Sequence, residues 1–137
     1  MPTSQHVLRF PATNAGFEEA ARALRALIDT RRLDGEPRYH VELAFEEIAT
    51  NIIRHGSSNE DIEVTIDFGE DEVVLTFEDS GVPFDPRELP GPVPPASLDE
   101  APLGGLGLVL VKKISTRLSY ARTPQCRNNL TVAIPTR

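Results

Sequence analysis

The chain has 137 residues, 39% hydrophobic and 26% charged, with a formal net charge of −7. That is the length and composition of one soluble globular domain, with enough chain to bury a core unaided. The single cysteine, Cys126, excludes an internal disulfide, no apolar run is long enough to span a membrane, and the excess of acids disfavours nonspecific nucleic-acid binding.

In chain order, His6 to Pro11 alternate weakly and predict a short strand. Phe17, Ala21, Leu24 and Ile28 recur at helical spacing, which predicts a helix over 17–33 with Asn14 as its cap. Asp34-Gly35-Glu36-Pro37 reads as a break. Val41, Phe45, Ile48 and Ile52 predict a second helix from about Arg38 to His55, with Gly56 placed to stop it. Ile62, Val64, Ile66 and Phe68 alternate with polar residues, as do Val73, Leu75 and Phe77. The intervening Gly69-Glu70-Asp71 makes the pair a hairpin. Ser80 to Leu103 has no periodicity and carries seven of the twelve prolines, so a functional lid is expected at about residues 80–104. Gly104-Gly105-Leu106-Gly107 opens a third helix ending near Ser115. Arg117 to Arg122 and Leu130 to Ile134 close the chain as strands.

Grouped helices and a hairpin predict one α+β domain over residues 1–137. It is a two-layer sandwich with one mainly antiparallel, mixed sheet and helices on one face. The charge is uneven. Between Glu42 and Glu100 stand 16 acids and two bases, Arg54 and Arg87, whereas Lys112 onward holds six bases and no acids. A solvated acidic surface accounts for this, as does an acidic face that docks a basic protein.

Three groups of residues carry chemistry. Glu47, Asn51 and His55 are spaced by four and share one face of the second helix. An amide oxygen at Asn51 can coordinate Mg²⁺, and Glu47 can polarise a hydroxyl nearby. A merely solvated helix face has the same pattern. Asp79-Ser80-Gly81 follows a predicted strand, where Asp79 can accept from an exocyclic amine and Gly81 lets a ligand approach the backbone. A plain turn uses the same residues. Gly104, Gly105, Leu106, Gly107 and Leu108 lie at a helix start, whose free N–H groups suit phosphate. A hinge reads alike. The cluster is neither a Walker A loop nor a Rossmann fingerprint.

Taken together and in this order, EEIATNIIRHG, DSGVPFD and GGLGL resemble the N, G1 and G2 boxes of the GHKL (Bergerat-fold) ATP-binding superfamily. Within it the chain most resembles the anti-sigma-factor serine kinases, and NNLTVAIP is similar to their closing strand. The likeness spans Asn14 to Pro135. It implies that Asn51 binds Mg²⁺ and that Glu47 is the catalytic base. It also implies that Asp79 takes the adenine amine above Gly81, and that the backbone amides of 104–107 hold phosphates. His55, Leu108 and Thr131 would add nucleotide contacts. The implied function is an anti-sigma factor with protein serine kinase activity. Such a protein binds Mg-ATP, sequesters a sigma factor, phosphorylates a STAS-type antagonist and acts as a cytoplasmic homodimer, without direct contact to nucleic acid or membrane. The alternative is a non-catalytic ATP-binding module that acts by sequestration alone. Asn128-Asn129 departs from the glycine pair of many relatives, and a turn is expected there because Asn tolerates left-handed backbone.

Overall fold

The computed structural model describes residues 4–55, 60–83 and 105–137. Their elements are β1 (Ser4–Phe10), α1 (Asn14–Thr30), α2 (Gly35–His55), β2 (Ile62–Phe68), β3 (Glu72–Asp79), α3 (Gly105–Ile114), β4 (Arg117–Arg122) and β5 (Asn128–Pro135). The expected stop at Gly56 and most of the expected lid, residues 84–104, lie outside the described residues.

The five strands form one sheet in the order β1-β2-β3-β5-β4. All four pairings are antiparallel. Among the described residues the sheet is therefore antiparallel throughout and not mixed, because neighbours are joined by hairpins or by crossovers that return in the opposite direction.

Register explains the core. Ile66, Leu75 and Val132 are cross-strand partners, as are Val64, Phe77 and Leu130, and all six are buried. These rows form one apolar face because strand side chains alternate. The helices cover that face. Leu24 and Ile28 of α1, with Val41, Phe45 and Ile48 of α2, are at most 2% exposed and belong to the same core cluster. Phe45 joins the layers, with its ring centroid 5.8 Å from Phe17, 6.1 Å from Phe10 and 6.0 Å from Phe77.

The helix starts differ from the sequence expectation. Thr13, not Asn14, caps α1, and its Oγ1 accepts from the Gly16 N–H at 3.0 Å. Gly16 itself is required by proximity, since a Cβ there would overlap the carbonyl of Pro11. The break between α1 and α2 falls at residues 31–34, three positions before the expected 34–37. Arg32 and Gly35 take positive φ, and α2 already begins at Gly35. Pro37 falls in the first turn of α2, where its missing N–H costs no helical hydrogen bond. Among the described residues no helix is long and apolar enough to cross a membrane.

Basic residues from the C-terminal third answer part of the acidic middle. Arg127 lies 3.3 Å from Glu60 and 3.8 Å from Glu78, Arg117 lies 3.9 Å from Glu72, and Arg137 lies 3.3 Å from Asp71. These pairs are solvent-accessible, so each adds little stability. They do account for some of the uneven charge without an external partner.

Candidate functional site

The apolar face of the sheet ends in polar residues at one edge. Beyond the Phe77–Leu130 pair the next inward-facing partners are Asp79 and Asn128, 3% and 6% exposed. Burying a carboxylate is costly unless it is hydrogen-bonded. Asp79 Oδ1 accepts from the Gly81 N–H at 2.8 Å and from Asn128 Nδ2 at 3.1 Å. Gly81 is buried beside it, so the DSG segment is a fixed structure and not a solvated turn.

The second group is on α2. Asn51 is 6% exposed and Glu47, one turn earlier, is partly buried. Glu46, next in sequence, is exposed. The pair therefore does not lie on a solvated face. Glu47 meets α3 instead: a Cβ built on Gly107 would overlap its carboxylate. Only a hydrogen at that position leaves the acid where it is. Burial, and then the charge of Glu46, raise the Glu47 carboxyl above its ordinary pKa, while Arg54 pulls the other way. A raised value brings the carboxylate closer to the strength useful for a base near neutral pH.

The third group is the start of α3. Gly105, Leu106 and Gly107 form its first turn, where backbone N–H groups have no partner inside the helix. The positive end of the helix dipole lies there too, and together these favour an anion. Leu108 differs from its neighbours: its side chain is buried in the core at 4% exposure, so it anchors the turn and offers a ligand at most its backbone. Gly104 and the side chains of His55 and Leu106 lie outside the described residues.

Two expectations need correction. Thr131 does not join Asp79. Alternation along β5 turns it to the opposite sheet face, where it is the partner of Thr76 with the hydroxyls 3.5 Å apart. The inward neighbour in β5 is Leu130. Asn128-Asn129 also form no left-handed turn. Both are in β5, and the positive φ of this hairpin belongs to Cys126, at 61°. Sequence reading thereby missed Asn128 as a partner of Asp79. The available signal was a polar residue in phase with Leu130, Val132 and Ile134.

Glu47 against Gly107 thus joins α2 to the glycine turn, and Asp79 closes the sheet edge. A buried carboxylate acceptor, an amide oxygen, a partly buried acid and a helix start are groups compatible with a nucleotide and a divalent cation. A hard cation suits the amide oxygen of Asn51.

Comparison with known proteins puts the chain among ATPase domains. Residues 10–134 match the family model of the histidine kinase-like ATPase domain. The chain is 33% identical over 125 residues to the serine/threonine-protein kinase BtrW of Bordetella bronchiseptica, covering 89% of this chain and 88% of that one. It is 34% identical over 80 residues to the serine-protein kinase RsbW of Bacillus cereus, a match that spans 54% of this chain and half of the relative's length. A chain of the SiaB–SiaC complex of Pseudomonas aeruginosa has the same fold, with TM-score 0.68 at 19% identity over 94% of this chain and 88% of that one. The chain belongs to the histidine kinase-like ATPase domain family, in the GHKL branch that holds the anti-sigma-factor serine kinases.

Proposed function

We propose that this protein is a Mg-ATP-dependent protein serine kinase and anti-sigma factor, which phosphorylates a STAS-type antagonist and sequesters a sigma factor when the antagonist is absent. The observation that carries the kinase reading is the Glu47 carboxylate seated against Gly107, one turn from Asn51. A protein that only held nucleotide would have no use for a partly buried acid there, with burial working against its charge. The names of BtrW and RsbW support the same activity class.

In this reading Asp79 binds the adenine amine, the α3 start holds phosphate oxygens, and the Asn51 amide oxygen is a ligand of Mg²⁺. Magnesium, when bound, supplies charge neutralisation at the phosphates. Glu47 takes the proton of the antagonist's serine hydroxyl while that oxygen bonds to the γ-phosphorus and the bond to ADP breaks. The phosphoserine then carries about −1.5 to −2 charges at neutral pH. It leaves an acidic protein of net charge −7, freeing that surface for the sigma factor. Homodimerisation in the cytoplasm belongs to the same proposal.

The test is incubation of the protein with Mg²⁺, γ-labelled ATP and a STAS-domain protein encoded beside it. Label on a serine of that protein is the expected result. ATP binding without transfer to any such protein would replace the kinase with a nucleotide-dependent sequestering module.

A further inference from the structure

The end of the β4–β5 hairpin grips the DSGV segment one residue at a time. Asn128 Nδ2 donates to Asp79 Oδ1 at 3.1 Å and to the Val82 carbonyl at 2.8 Å. Arg127 Nη1 donates to Ser80 Oγ at 2.7 Å. Arg122 Nη1 donates to the Gly81 carbonyl at 2.8 Å. Asn128 is the hub, because its own Oδ1 accepts from the Tyr120 hydroxyl and from Arg122 Nη1. Both amide protons and the amide oxygen are thus in use. The flipped amide would turn its oxygen on the Asp79 carboxylate and its nitrogen on the Arg122 guanidinium, so the network permits one orientation only.

An apolar side chain at 128 would continue the row of Leu130, Val132 and Ile134, but it would take a donor from Asp79 Oδ1 and from the Val82 carbonyl and an acceptor from the Tyr120 hydroxyl. The buried amide instead gives Asp79 Oδ1 a second donor, held rigid by β4. With Oδ1 held twice, the proposed function assigns Oδ2 to the ligand.

We infer that Asn128 is a positioning residue for nucleobase selection. Through Asp79 it confines recognition to bases that present an exocyclic amine, with Tyr120 and Arg122 fixing the amide. This rests on the reading of Asp79 as the adenine acceptor. Its consequence is specific: Asn128 acts on the base and not on the phosphates, since among the described residues its side-chain hydrogen bonds run to residues 79, 82, 120 and 122.

The probe pair is ATP and ITP, which differ in an amine against an oxo group at the base and share the triphosphate. Calorimetric titration with Mg²⁺ compares the wild type with Asn128→Leu and Tyr120→Phe. Wild type prefers ATP. Asn128→Leu loses about tenfold in ATP affinity with ITP affinity unchanged, so the preference drops by the same factor. Tyr120→Phe keeps its ring and moves the preference in the same direction by a smaller factor, which keeps the test sound if the leucine variant folds poorly. Equal weakening of both nucleotides, or an unchanged ratio in both variants, would overturn the role of Asn128. A wild type without preference would overturn the Asp79 reading and this inference with it, and that failure is visible before any variant is made.

Discussion

Glu47→Gln separates stability from catalysis at one atom. The carboxyl is partly buried, and burial followed by the Glu46 charge holds its pKa above the ordinary value, with Arg54 opposing. A carboxyl raised on folding binds its proton more tightly in the native state. Its contribution to stability is therefore full below the unfolded value, about 4.3, and is lost as pH rises through the folded value. At neutral pH the ionised acid is a net cost. The side chain is open enough for solvent to screen much of that cost, so the gain on neutralising it is small. Glutamine keeps the shape against Gly107 but cannot take a proton. Glu47→Gln should melt slightly higher than wild type at pH 7, and the difference should vanish towards pH 4. Phosphoryl transfer should fall by about 10²- to 10⁴-fold, the usual share of a general base. Thermal denaturation at several pH values and single-turnover transfer assays measure both. Glu46→Gln, on the exposed side of the helix, is the control and should transfer normally. A less stable Glu47→Gln at pH 7, or one that transfers at the wild-type rate, would mean that Glu47 is neither strained by burial nor the base.

Two further outcomes follow from the same geometry. Gly107→Ala should keep the fold, because the added methyl meets only the end of a flexible side chain, but it should displace Glu47 and lower transfer by about 10²-fold; if the double variant with Glu47→Gln is much slower than Glu47→Gln alone, the two positions do not act through one contact. Asp79→Asn replaces the acceptor that Gly81 and Asn128 hold, and should cost about 1.5–3 kcal/mol of ATP binding, measured by calorimetry; undiminished affinity would make Asp79 a purely structural residue.

Much of this was legible in the amino-acid order. Period-two alternation located β2 and β3, and the stripe Val41, Phe45, Ile48 located α2, because these residues face one packed layer. The pairing of Glu47 with Asn51 could be read from spacing alone. Its contact with Gly107 could not, since 60 positions separate them and only the packing of α3 on α2 brings them together. Strand register was similarly out of reach. Motif likeness drew Thr131 to the site, whereas alternation along β5 gives that place to Leu130 and, at the strand start, to Asn128. The cap was misplaced by one residue because Thr13 and Asn14 are both good caps and only backbone geometry chooses between them.

In the proposed function Asn51, Asp79 and the start of α3 form one Mg-ATP site. Calorimetric titration of ATP into the wild type and into Asn51→Asp, each with and without Mg²⁺, tests it most directly. The expected result is one ATP per chain in the wild type, with affinity that rises on adding Mg²⁺. Asn51→Asp, which sets a carboxylate beside the phosphates in place of a neutral amide, should bind weakly or not at all while its melting transition persists. Wild-type binding indifferent to Mg²⁺, or an Asn51→Asp variant that binds Mg-ATP as tightly as wild type, would contradict it.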